Sequence, residues 1–184
     1  MSNQFSFLRE DINRLFPKNT KASIKMLLRV LSEQRFYALV IYRFGRWLYF
    51  EAKGGMLLYP LKFLYLLSNK LVVEILFGMY IPSDCDIGPG LYINNFQGLV
   101  INPNAVIGRN CSIGHGVIIG TAADGTARAP RIGNDVFIGS RAVVIGPITI
   151  GDNVRIGANA VVLKDVPSNV TVAGVPAKIV RKTL

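Results

Sequence analysis

The sequence predicts a mainly β chain: a parallel β-helix over residues 81–184, preceded by an α-helical segment over residues 1–80. Three observations carry this. Aliphatic residues recur every six positions after Ile81, glycine follows most of them, and the position four beyond each is small or aliphatic. A six-residue repeat of this kind is the signature of a β-helix. Before Ile81 the apolar spacing is that of α-helices.

The helical segment comes first. Ile24, Leu27, Leu28 and Leu31 fall at i, i+3, i+4 and i+7, the stripe of an amphipathic helix. The run from Lys21 to Phe50 is dense in helix formers and aromatic residues, and Gly54-Gly55 ends it. A second helix is expected from Leu61 to Phe77.

The repeat then takes over in three series. Ile81, Ile87, Ile93 and Leu99 are six apart; Ile101, Ile107, Ile113 and Ile119 resume after a shift of two; Ile132, Ile138, Val144, Ile150, Ile156 and Val162 resume after a gap of 13. The position four beyond holds Cys85, Ala105, Cys111, Val117, Val136, Ala142, Val154 and Ala160. Each hexapeptide reads as one short strand plus a turn, and three close a triangular coil of about 18 residues. The anchors point inward and stack about 4.8 Å apart along the axis. The shift between Ile93 and Ile101 reads as a corner bulge. The Gly/Ala-rich stretch from Gly120 to Arg131, which carries Arg128 and Arg131, reads as a protruding loop, the usual place for function on a rigid scaffold.

Composition narrows the chemistry. The 184 residues are 51% hydrophobic and 17% charged, which excludes a disordered chain. Two cysteines make no disulfide framework and no CxxC zinc site, and a single histidine excludes a three-imidazole zinc centre; no metal is expected. Cys85 and Cys111 sit in the small inward slot, where packing is the expected role. Residues 1–80 hold 12 basic and 5 acidic side chains, a net of +7; residues 81–184 hold 9 and 6, a net of +3. No secretory signal is expected, because Arg9, Glu10, Asp11 and Arg14 fall where an apolar core would begin. The apolar stretch from Gly54 to Pro82 is interrupted by Lys62, Lys70 and Glu74. The expected location is cytoplasmic, peripheral on the inner membrane face. Residues 21–70 interleave Arg29, Arg35, Arg43, Arg46 and Lys53 with aromatic residues, a composition suited to an anionic membrane surface. No recognition motif accompanies the charge, so nucleic acid is not an expected partner.

The stretch IGANAVVLKDVPSNVTVAGVPAKIV (Ile156 to Val180), with FLREDINRLF (Phe7 to Phe16) and YRFGRWLY (Tyr42 to Tyr49), resembles the hexapeptide-repeat acyltransferases. The likeness is greatest to the serine acetyltransferase branch and its relatives that O-acetylate capsule and exopolysaccharide sugars. It covers nearly the whole chain. It implies a left-handed β-helix, a homotrimer, acetyl-CoA as co-substrate, and active sites in clefts between neighbouring β-helices. The short, basic, aromatic N-terminal part resembles the polysaccharide-modifying relatives more than the longer helical domain of serine acetyltransferases.

Acetyl transfer to a hydroxyl needs a base for the hydroxyl proton and a donor for the developing oxyanion. In this branch the base is a histidine two residues after an inward aliphatic; here Asn95 stands at that position, and an amide is no base. A second family histidine precedes a proline in the loop, where this chain has Ala129-Pro130. The only histidine is His115, in Ile113-Gly114-His115-Gly116, also two after an inward aliphatic. An imidazole titrates near neutral pH, as the role requires. Asn95 and His115 are 20 positions apart, one coil plus the shift, so they are expected to stack on one face. His115 is the candidate base and Asn95 its orienting group or oxyanion donor. If His115 is only a turn residue at a trimer contact, Asp124 in the loop is the fallback. The family resemblance places the pantetheine arm along Gly139-Ser140 and Gly157-Ala158, with Lys178, Arg181 and Lys182 meeting phosphates. The leading functional expectation is an acetyl-CoA-dependent O-acetyltransferase acting on a sugar or lipid-linked glycan; the alternatives are a serine O-acetyltransferase of cysteine biosynthesis and a catalytically silent trimeric scaffold.

Overall fold

The computed structural model describes residues 3–16, 24–94, 97–122 and 128–182, with the side chains of 25–27 and 29 excepted. Helix α1 spans Gln4–Asn13, α2 Ile24–Leu31, α3 Gln34–Phe50 and α4 Tyr59–Ser68. A 3₁₀ turn, Gly55–Leu58, leads into α4, and a π-helical stretch, Asn69–Leu76, continues it. Asn3 starts α1 by accepting the N–H groups of Phe5 and Ser6 (3.1 and 3.2 Å), which otherwise lack partners at a helix start.

The β-helix follows. One face is built from β1 (Asp86–Ile87), β4 (Val106–Ile107), β7 (Arg131–Ile132) and β10 (Thr149–Ile150). The second holds β2 (Tyr92–Asn94), β5 (Ser112–Gly114), β8 (Phe137–Ile138), β11 (Arg155–Ile156), β13 (Val170–Ala173) and β14 (Lys178–Lys182). The third holds β3 (Val100–Ile101), β6 (Ile118–Gly120), β9 (Val143–Ile145) and β12 (Val161–Val162). Neighbouring strands are parallel except β13 and β14, which are antiparallel. The C-terminal stretch is therefore a strand that folds back on the last coil.

All fourteen anchors are no more than 3% exposed, and all eight residues at the fourth position beyond are buried with them. Burying each large aliphatic is worth roughly 1.5–3 kcal/mol gross. Register follows the repeat: Ile93 pairs with Ile113 and Ile113 with Ile138. The shift of two changes one assignment. Ile101, not Leu99, takes the stacked place, pairing with Ile119, while Leu99 is buried beside it.

The helical part departs from expectation in three ways. The run from Lys21 to Phe50 is two helices, α2 and α3, separated at Ser32-Glu33. The stripe on α2 faces outward: Ile24 is 81% exposed, and Leu28 and Leu31 are exposed too, while Val30 is buried. Finally, several cations expected to face a membrane hold the helices to the β-helix instead. Arg43 reaches the carbonyls of Ile87 and Gly88 (2.7 Å each) and Asp11 on α1 (2.7 Å), and both charged side chains are buried. Arg46 pairs with Asp86 (2.9 Å), and Arg35 donates to the Tyr92 hydroxyl (2.7 Å) while lying over its ring. Tyr42 donates to the Cys85 carbonyl (2.8 Å) and is itself buried.

Candidate active site

His115 occupies the corner between β5 and β6, where the second face turns into the third. Its position is fixed from both sides. The Gly116 N–H donates to the Gln97 carbonyl in the coil before (2.9 Å), and the His115 carbonyl accepts from the Arg141 N–H in the coil after (2.8 Å). Gly116 has φ +66, and a Cβ there would lie 3.1 Å from Arg141 Cγ, so glycine suits the turn. At Gly114 a Cβ would lie 2.6 Å from the Ser140 backbone nitrogen, which forbids any side chain. The imidazole stands half-buried at a corner pinched between two glycines. Its Nδ1 is buried and has no hydrogen-bond partner among the described residues. Buried polar atoms in native proteins nearly always have a partner, so such an atom marks a place where a further polar group is expected.

The stacking of Asn95 on His115 is only partly visible. The register runs Tyr92↔Ser112, Ile93↔Ile113, Asn94↔Gly114. That is the expected offset of 20, but Asn95 itself lies outside the described residues, as does Asp124.

The third face, beside His115, is apolar outward as well as inward. Its outward positions are Val100, Ile118, Val143 and Val161, and the first two are exposed. The first face shows Asp86, Val106, Arg131 and Thr149 at the equivalent places. At the other edge of the apolar face, where the loop returns, lies a cavity of about 430 Å³ lined by Asn104, Arg128, Ala129, Arg131, Pro147, Ile148 and Thr149. Two guanidiniums at one cavity suit a carboxylate or phosphate. The sequence placed both arginines on the loop but carried no signal that they share a cavity. The alanine that replaces the family's second histidine lines the same cavity.

Gly139 and Gly157 stack in one column by the β8–β11 register. A Cβ on Gly139 would lie 2.5 Å from the Ala158 nitrogen. Their N–H groups go to Ile156 and Val172 carbonyls (2.8 Å each). Coil-on-coil stacking thus closes Gly139 to any side chain, and the N–H groups of Gly139 and Gly157 are not free donors. Lys178 and Arg181 are exposed on β14, paired in register with Ala173 and Thr171. Among the described residues no cluster of ligating side chains holds a metal.

Burial raises both thiols, Cys85 to about 12 and Cys111 to about 11, which fits packing roles.

Residues 129–164 match the family model for the bacterial transferase hexapeptide (six repeats). The serine acetyltransferase of Synechococcus elongatus is 35% identical over 180 residues, 97% of this chain and 70% of that protein. The chain spans about half (51%) of the serine acetyltransferase of Escherichia coli strain K12. Among solved structures, Neisseria gonorrhoeae serine acetyltransferase in complex with serine aligns with TM-score 0.78 at 34% identity, over 96% of this chain and 69% of that one. Brucella abortus strain S19 serine acetyltransferase in complex with coenzyme A aligns with TM-score 0.78 at 31% identity, over 98% and 68%. These relatives correct the leading functional expectation. A glycan acceptor and a place in the capsule and exopolysaccharide branch rest on the short basic N-terminal part and on Asn95 and Ala129 at the family's histidine positions, yet the matches, which span the N-terminal part too, are serine acetyltransferases. Of the N-terminal residues that suggest a polysaccharide enzyme, Arg35, Tyr42, Arg43 and Arg46 tie the helices to the first coils. The chain belongs to the hexapeptide-repeat transferases, among the relatives of serine acetyltransferase, and is an acyltransferase that takes its acetyl group from acetyl-CoA.

Proposed function

We propose that the chain is a serine O-acetyltransferase that works as a homotrimer, with His115 as general base. The observation that carries the reading is the orphaned Nδ1 of the chain's only imidazole, at a corner bordering an outward apolar face. In a three-fold ring the same face meets a different edge of the next copy. Packing the apolar ladder of Val100 and Ile118 against a neighbour brings the His115 edge of one protomer toward the Arg128–Arg131 edge of another. The cleft then holds a base on one wall and two cations for a substrate carboxylate on the other.

The chemistry follows from these groups. The serine carboxylate is held by Arg128 and Arg131, which fixes the hydroxyl near the imidazole. His115 takes the hydroxyl proton as the oxygen attacks the thioester carbonyl. The C–O bond forms, the C–S bond breaks, and the imidazolium returns the proton to the departing CoA sulfur. Positioned proton transfer of this kind contributes about 10²–10⁴-fold. The stretch of Gly139, Ser140, Gly157 and Ala158 is assigned to the pantetheine arm, and the exposed Lys178 and Arg181 to its phosphates. Asn95, which lies outside the described residues, is the candidate oxyanion donor by its spacing of 20 from His115.

The test is acetyl transfer from acetyl-CoA to a panel of L-serine, D-serine, L-homoserine and serine methyl ester, with O-acetyl product identified by mass. L-Serine as the preferred acceptor, and loss of turnover with the methyl ester, supports the reading. Equal turnover of the ester removes the carboxylate clamp, and absence of O-acetylserine removes the proposed acceptor.

A further inference from the structure

We propose that the helix running from Gly55 to Leu76 is a bilayer-docking element that seats its outer face on an anionic lipid surface. Its polarity is inverted relative to an ordinary surface helix. The side turned to the protein carries Tyr65, Ser68 and Asn69, with Val73 beyond them. The side turned outward is apolar: eleven large apolar side chains are exposed, and Leu57 reaches 85%. Lys70 is the only charged residue exposed on this segment, and its ammonium is paired with Glu74 (2.6 Å). Apolar residues scattered singly over a surface are ordinary; eleven on one 22-residue segment are not.

Length and packing define how it sits. Twenty-two residues give about 33 Å of helix, and an 18-residue stretch of it has a mean hydropathy of 1.3 with 11% of its residues buried. Its inner side is tied to α3. The Tyr65 ring packs edge-on to Tyr49 (5.7 Å), and a Cβ on Gly45 would lie 2.3 Å from the same ring, so the two helices meet in close contact. A helix held along one side lies in the membrane interface rather than through it. Lys62 sits over the Tyr49 and Tyr59 rings (5.2 and 5.9 Å), beside the apolar face.

Charge selects lipid over a second copy. Residues 53–80, which carry this face, hold three lysines against the single carboxylate of Glu74, so two copies meeting through it would bring like charges together, whereas an anionic bilayer is complementary. In a trimer three such faces would reinforce one another.

The experiment is vesicle flotation of the whole protein with phosphatidylcholine alone and with 30% phosphatidylserine (roughly the anionic share of a cytoplasmic leaflet). Wild type is compared with Leu57→Glu/Phe63→Glu, and with Phe63→Trp for spectroscopy. The positions are exposed, and far-UV circular dichroism confirms that each variant folds. The expected result is flotation with anionic vesicles, weakened at least about tenfold by the paired glutamates and by raised salt. In the Phe63→Trp variant the added indole should give blue-shifted emission that brominated lipid quenches. No flotation with either vesicle, or flotation unchanged by the glutamates, overturns the proposal. So does a larger oligomer in sedimentation that the glutamates dissolve while vesicles bind nothing, which would place a second copy on this face. None of these readouts depends on which acceptor the enzyme uses.

Discussion

Replacing Arg43 with methionine should loosen the helical layer from the β-helix, and the size of the effect can be worked from its contacts. The guanidinium donates to both carboxylate oxygens of Asp11 (2.7 and 3.2 Å), to Gln4 Oε1 (3.2 Å) and to the carbonyls of Ile87 and Gly88 (2.7 Å each). Asp11 in turn accepts the Leu91 N–H (2.7 Å). One side chain therefore joins α1, α3 and the first coil, while being about 1% exposed. Burial pushes the Asp11 carboxyl above its ordinary value, and Arg43 and the Leu91 and Gly90 N–H groups pull it back. Breaking a buried pair by removing one partner costs about 3–5 kcal/mol, because the other charge is left unpaired. Arg43→Met is therefore expected to lose about that much. Adding Asp11→Asn, which removes the stranded charge and keeps an acceptor for Leu91, should recover roughly 1–2 kcal/mol of it. Arg43→Lys should fall between, since an ammonium cannot reach all these acceptors in their fork. The assay is urea unfolding at fixed protein concentration, followed by the single tryptophan, Trp47. It lies one helical turn beyond Arg43 and beside Phe5 (5.5 Å), so it reports the same junction. A loss under about 1 kcal/mol for Arg43→Met, or no recovery in the double variant, refutes the reasoning.

Three further outcomes are expected. Cys85 and Cys111, buried and raised to about 12 and about 11, should resist a thiol reagent at pH 8 in the folded protein and react fully in denaturant. Because these folded values lie above the ordinary 9.0, the unfolded chain ionises first, and stability should fall as pH rises above 9 in a urea series. Gly114→Ala should lower the melting temperature and activity together, since its Cβ meets the Ser140 backbone at 2.6 Å and the strain falls next to His115; a variant with wild-type melting and turnover would contradict the close stacking. Ile118→Asp should convert the trimer to monomer in sedimentation and abolish turnover while leaving the β-sheet circular dichroism intact. A trimeric, active Ile118→Asp would remove the apolar face from the assembly.

The β-helix was legible because each anchor faces one invariant environment. Fourteen inward aliphatics leave a period that no other fold needs, and the structure buries all of them. The helices were less legible because an apolar stripe does not say what it faces. Ile24 and Leu28 make a correct amphipathic pattern yet point outward, and the helix from Gly55 to Leu76 turns its polar side inward. Helix α1 has no strong apolar period, and its buried residues include Gln4 and Asp11, which only the partner Arg43 explains. At the site, periodicity placed His115 on a corner but could not show that its Nδ1 is orphaned. The Arg128–Arg131 cavity depends on how the loop returns to β7, which has no repeat to follow. The acceptor was not legible because the short, basic, aromatic N-terminal part reads as a functional surface, when Arg35, Arg43 and Arg46 in it are structural ties.

The most direct test of the account is the turnover number for L-serine acetylation by wild type and His115→Ala, with coenzyme A binding measured in parallel. The account predicts a fall in kcat of about 10²–10⁴-fold with coenzyme A affinity and trimer mass unchanged. A His115→Ala enzyme that keeps its kcat within a few-fold of wild type would contradict the assignment of His115 as the base.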